Sequence, residues 1–332
     1  MKTYQDNQTA GHGMQHSLEN ILKRDLHIPR RASGEATLPW SDTIRQLISE
    51  KKLVYTVFDG DQELMCGLMR SAIMKQGMVP VNPPSILGYR DTVVRNRVKA
   101  DVLREDVALL NKSDQVWIFV DLHSLQRNKT PLPEGALFEL LFVKLFRPAM
   151  PVFTVDTESL FTGNVRLKPF SLNDITQLSE QKSIEELTNQ LLAAFERMPK
   201  IRYYYYDPLD FKYGEWLRSF NDGSNVSPLD PMLSVRLLDG QQSLGCVGQA
   251  WLSLLRLADE VCHVSSLHEQ EGSSLWCAVV EEANRSCFSL PTRQISWADL
   301  DVPKALLGAK WPVTTREAEI LSARNRIVRL CA

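Results

Sequence analysis

Apolar residues follow two alternating rhythms along most of the chain. LVYTVF (53–58), DQVWIFVD (114–121) and PVFTVD (151–156) are short runs of β-branched and aromatic residues, the composition of buried strands. Between them, ELMCGLMRSAIMKQ (63–76), VVRNRVKADVLREDVALLNKS (93–113) and GALFELLFVKLFR (135–147) carry the wider spacing of helices. MVPVNPP (78–84) reads as a short extended piece stopped by prolines, and a further strand is expected near 166–170. SIEELTNQLLAAFERM follows as a helix, with Ser183 and Glu186 at the spacing of a capping box. Regular strand–helix alternation predicts an α/β fold, a parallel sheet with helices on both faces.

The plan then starts again. KIRYYYYDP (200–208) repeats KKLVYTVFDG (51–60), each ending in an aromatic followed by Asp. WLSLLRLADEVCHV (251–264) lies over DVALLNKSDQVWIF (106–119) without a gap, so that Leu109, Leu110, Asp114 and Val116 meet Leu254, Leu255, Asp259 and Val261. EGSSLWCAVVEEANRSCFSL (271–290) lies over EGALFELLFVKLFRPAMPVF (134–153), and QISWADLDVP (294–303) is likened to PFSLNDITQL (169–178). Each copy closes on a capped helix, the second through Thr314 and Glu317. The order of these matches predicts two tandem Rossmann-like (flavodoxin-like) domains forming a pseudo-dimer. Residues 1–45 are a polar extension with the start of a helix, 46–199 the first copy and 200–332 the second.

Composition narrows the function classes. The chain has 332 residues, 44% apolar and 23% charged, with a net charge of −2. That balance gives no general electrostatic grip on a nucleic acid polymer or an anionic membrane. No apolar run reaches the length of a membrane span, and the first residues lack the apolar core of a secretory signal, so a cytoplasmic protein is expected. Six scattered cysteines and six histidines show no metal-ligand spacing, so no metal and no cofactor are expected, and the thiols read as reduced.

One residue resists the pattern. Glu139 stands inside an otherwise apolar helix, where a carboxylate is paired, solvated at a cavity or put to use. The repeat sharpens this: Asp106 falls opposite Trp251 and Glu139 opposite Trp276, two carboxylates replaced by two indoles. In an open parallel sheet ligands bind beyond the carboxyl ends of the strands. Glu139 is expected there, early in its helix, with Gly135 allowing close approach of a ligand. Asp106 is expected on the preceding helix. Asp59 and Asp121 fall at strand ends near the same crevice. Arg90 begins a basic stretch (Arg95, Arg97, Lys99, Arg104) whose default role is a solvated face and whose alternative is a phosphate contact. Asp114 and Asp259, at strand starts, read as structural, and the four tyrosines 203–206 as a strand packed on both faces.

GALFELLFVKLFRPAMPV resembles the Gly-Thr-x-x-Glu-x-Gly-x-Ala…Lys-Pro-Val segment of the nucleoside 2-deoxyribosyltransferases and the related nucleoside 5′-monophosphate N-glycosidases. REDVALLNKSDQVWIF and GMVPVNPP are similar to two further segments of that family, and the likeness spans about residues 52–155. The resemblance implies cleavage or transfer at an N-glycosidic bond of a nucleoside or nucleotide, with Glu139 as nucleophile and Asp106 assisting at the base or sugar. The aromatic that lines the sugar site in the family corresponds to Tyr55 or Phe58. Ala136, Leu141 and Val143 depart from the family pattern, two extra residues precede Pro151, and the loop SLQRNKTPLPEG is long. A covalent tandem could complete its site within one chain, so a monomer or a homodimer is expected. The alternative is a nucleotide-binding or regulatory protein that keeps the pocket without turnover.

Overall fold

The computed structural model describes residues 48–49, 51–58, 63–81, 99–122, 132–162, 164–177, 181–206, 210, 213–214, 217, 225–231, 250–265 and 275–300. The N-terminal extension, Asp59, Arg90, Thr314 and Glu317 lie outside them. Two compact units divide the chain: Lys52–Lys200 forms one, and the described residues from Ile201 onward belong to the other. Both are α/β, with parallel-rich sheets flanked by helices.

The first unit runs β1 (Leu53–Val57), α1 (Glu63–Lys75), β2 (Val79–Val81), α2 (Lys99–Asn111), β3 (Gln115–Ile118), α3 (Glu134–Phe146), β4 (Val152–Val155), α4 (Thr157–Thr162), β5 (Leu167–Pro169) and α5 (Gln181–Glu196). Its five strands stand in the order β2-β1-β3-β4-β5. The first four are parallel, while β5 runs antiparallel to β4, Phe153 facing Pro169. Proline stands in both outer strands, Pro80 in β2 and Pro169 in β5, where a missing ladder donor is tolerated. Side chains alternate across β1. Val54 joins Met69, Ala72, Ile73, Trp117, Val155 and Leu160 in a core under α1 and α4. On the other face α2, α3 and α5 pack against one another, with Phe146 stacked on Phe142 and on Phe195 where α3 meets α5.

The second unit contains β6 (Lys200–Tyr206), β7 (Val226–Leu229), β8 (Glu260–Ser265), α6 (Leu275–Ala283) and β9 (Thr292–Ser296), ordered β7-β6-β8-β9. This is the order of β2-β1-β3-β4, and β6–β8 and β8–β9 are parallel. The tyrosines of β6 are buried on both faces. Tyr204 and Tyr206 pack with Cys262, Val264, Ile295 and Trp297 on one.

Two hydrogen-bond patterns recur in both units. The amide of Leu53 donates to Asp114 Oδ2 at 2.7 Å, and the Asp114 amide donates back to the Leu53 carbonyl at 2.9 Å. The Ile201 amide donates to Asp259 Oδ2 at 2.9 Å, and the Asp259 amide donates to the Ile201 carbonyl at 2.7 Å. Each aspartate therefore locks the start of one strand to its parallel neighbour, the structural part expected of it. One register further, Val116 and Val261 donate to the carbonyls of Pro151 and Pro291, both at 2.9 Å.

These registers correct two alignments: Pro151 answers to Pro291, where the gap-free match of 134–153 to 271–290 sets it opposite Phe288. Because Pro291 answers to Pro151, β9 is the counterpart of β4, and residues 294–296 continue that strand rather than matching the segment after β5. Buried Leu160 and Leu300 then stand at equal distances past those prolines. Ser183 is the third residue of α5 rather than its cap, because the helix begins at Gln181.

Asp114→Ala removes a charge-assisted bond to a strand amide. It is expected to lower the stability of the first unit by about 1.5–3 kcal/mol in urea denaturation. Asp259→Ala is expected to do the same in the second.

Candidate active site

α3 begins after Pro133, whose extended backbone ends the preceding loop, with no side chain capping the first turn. It is buried on all sides: Ala136, Leu137, Phe138, Leu140, Leu141, Phe142 and Val143 are covered. Glu139 alone between 136 and 143 keeps part of its surface open. Its side chain does not turn to bulk solvent. The Tyr55 hydroxyl, from β1, donates to Glu139 Oε1 at 2.7 Å. Tyr55 has no exposed surface, so this bond is made where helix meets sheet. Gly135, one turn earlier on the same helix face, is exposed, and a Cβ there would meet nothing within 4 Å.

Asp106 is the eighth residue of α2 and is buried, in the body of that helix rather than at its head. The two helices that carry Asp106 and Glu139 are tied at their far ends. Arg147, the C-cap of α3, reaches back with its guanidinium to the carbonyls of Asn111 and Ser113, which α2 leaves without helical partners. One cation thus joins the carboxyl ends of both helices. A basic residue just past a helix end was the available sign of this role, which the sequence reading did not use.

Burial is the first cause, and the neighbouring Asp106 charge the second, that hold the Glu139 carboxyl well above the usual carboxylate range; the Tyr55 hydrogen bond pulls the other way. Partial opening and strong desolvation coexist because the carboxyl group lies among apolar side chains. Burial and the neighbouring Asp106 charge thus both favour the protonated form of Glu139. The arrangement offers an oxygen that can attack an electrophile, Oε2, while Tyr55 holds Oε1, together with an adjacent acid–base partner.

Of the two aromatics left open by the sequence, Tyr55 reaches Glu139, whereas Phe58 packs against the core on the opposite face of the sheet. Tyr55 is the third residue of β1, so the carboxylates meet the sheet at mid-strand, under α2 and α3, rather than beyond the strand ends. Asp121 is exposed three residues past β3. Asp59 and Arg90 are outside the described residues. No group of three or more possible metal ligands occurs among the described residues.

The corresponding place in the second unit is built differently. Tyr55 stands beside Val116 and Tyr203 beside Val261, so the two tyrosines are equivalent by register. Tyr203 donates to the carbonyl of Trp251 at 2.8 Å, and Trp251, the residue aligned with Asp106, is buried. The Trp276 side chain is outside those described; its neighbour Cys277 is buried. Burial, then Asp230, then Cys277 raise the Tyr203 hydroxyl well above its usual range. Asp230 is buried just past β7 and accepts the Tyr206 hydroxyl at 2.7 Å. A sequence signal for it existed: Pro228-Leu229-Asp230-Pro231 repeats Pro80-Val81-Asn82-Pro83.

Comparisons of the chain with protein-family models, curated proteins and solved structures find no match. No helix among the described residues is long and apolar enough to cross a membrane.

A carboxyl raised in the folded state favours folding at low pH, and that contribution is lost as pH rises from the ordinary carboxylate value through the folded one. Glu139→Gln is therefore expected to raise the melting temperature at neutral pH, with the gain vanishing in acid; a thermal melt series across pH measures it. Tyr55→Phe, which removes the bond opposing the shift, is expected to move the Glu139 titration further upward, followed by the carboxyl infrared band. Gly135→Ala is expected to stabilise α3 by about 0.5–1 kcal/mol, readable in the same thermal melts.

Proposed function

We propose that the first unit cleaves, or transfers across, the N-glycosidic bond of a nucleoside or nucleotide, with Glu139 attacking C1′. The observation that carries this reading is the convergence of Tyr55, Glu139 and Asp106 from three separate elements. The resemblance of residues 52–155 to the deoxyribosyltransferase and N-glycosidase families supplies the chemistry those groups would perform. Attack through Oε2 forms a glycosyl ester by an oxocarbenium-like transition state. Asp106 guides or protonates the departing base as the C1′–N bond breaks. Water completes a hydrolase reaction, and a second base completes a transferase reaction.

The second copy, in this reading, is a degenerate partner within a tandem pseudo-dimer. Its common strand order and repeated aspartate clamps support common descent, and its buried Trp251 marks the lost carboxylate.

Incubation with a panel of nucleosides and nucleotides, read by release of free base, tests the proposal. Glu139→Ala is expected to lower release by at least about a thousandfold. Tight nucleotide binding with no base release would instead favour a non-catalytic sensor.

A further inference from the structure

The second unit is not confined to the later part of the chain. Ile48, Ser49 and Lys51, counted with the first copy on the sequence, group with Ile201 and the residues after it, and Ile48 is buried. Lys52–Lys200 stands between the two parts as one continuous piece.

Two contacts mark where the chain leaves this unit and where it returns. Arg256, half-buried just ahead of β8, donates from Nη1 to the Lys51 carbonyl at 2.8 Å. Three residues on, Asp259 holds Ile201 through its carboxylate and its own amide. One short segment, Arg256–Asp259, therefore grips both passages. The first unit uses the matching turn for an internal purpose: Asn111, three residues before Asp114 as Arg256 is before Asp259, accepts from Arg147 of the same unit. Arg256 instead closes a contact across 205 residues of sequence, a loop that contains the whole first unit. An insertion is tolerated where the host chain holds its two ends close together, at a point few ladder bonds cross. The Lys51 carbonyl lies ahead of the first ladder: the Val79 amide takes the Lys52 carbonyl, and β1 begins at Leu53.

We propose that Lys52–Lys200 is an inserted domain carried by the second unit on these two passages, and that Arg256 is the latch fastening the entering one. Release of the latch frees Lys51 and Lys52 locally and leaves both sheets formed. The latched carbonyl lies two residues ahead of the strand that supplies Tyr55, so the latch holds the root of the candidate site whatever reaction that site performs.

Both passages carry lysine, Lys51–Lys52 at one and Lys200 at the other. Digestion of the native full chain with lysyl endoprotease therefore reads them directly, because cleavage follows local opening. In Arg256→Met, cleavage after Lys51 and Lys52 is expected to rise about tenfold, the scale of one charge-assisted bond. Cleavage after Lys75 in α1 and Lys144 in α3 is expected to stay unchanged. Ile48→Ser, which leaves the turn ahead of β8 intact, is expected to give the same pattern by removing the buried anchor of the segment. The piece ending at Lys200 is expected to resist further digestion. Unchanged cleavage after Lys51 and Lys52 in both variants would overturn the latch. A parallel rise at Lys75 and Lys144, or loss of the Lys52–Lys200 piece as fast as it forms, would overturn the inserted domain.

Discussion

A carboxylate wedged between a sheet and two helices must be hydrogen-bonded, protonated or left partly open, and the surroundings of Glu139 favour all three. The Tyr55 hydroxyl satisfies Oε1, the Asp106 charge favours retention of a proton, and the residue keeps a window that its apolar neighbours lack. Each element in the site follows from holding that one group. β1 supplies the phenol from the middle of the sheet, α3 carries the acid on an otherwise buried helix, and α2 brings the second acid alongside. Arg147, far along α3 from Glu139, ties the carboxyl ends of the two helices together.

The two units show how one framework carries different interiors. Both begin their sheets with an aspartate that returns a hydrogen bond to the first strand, and both pass a valine amide to a proline carbonyl one register further on. Those contacts lie near the strand starts and involve mostly backbone, so they constrain topology and little else. A tyrosine stands at the equivalent register in both, yet its hydroxyl serves a carboxylate in one and a main-chain carbonyl in the other. In the second unit the carboxylate that bears on this tyrosine comes from the end of a neighbouring strand, Asp230.

Much of this could be read before any coordinates. Period and composition located the strands, and the out-of-place charge in GALFELLFVKLF singled out Glu139. The order of matched segments predicted a second unit with the same strand order. What could not be read was orientation. Whether Tyr55 or Phe58 faces α3 depends on the parity of β1, and a strand buried on both sides gives no polar–apolar alternation to fix it. The antiparallel turn of β5 was equally hidden, because three residues ending in proline carry no directional signal. Aligning 294–303 with 169–178 failed for a related reason: short polar segments after a strand look alike, and only the ladder tells them apart. The open side of Glu139, and the enclosure of Asp106, depend on packing between helices that no linear pattern encodes.

The outer strands of the first sheet have one more implication. A strand margin ordinarily invites another polypeptide to dock by extending the ladder, the usual beginning of aggregation. With Pro80 on one flank and Pro169 on the other, an incoming chain meets a missing amide hydrogen and a rigid ring at either border. The five-stranded layer is thus self-limiting: it resists sideways growth even when crowded by copies of itself.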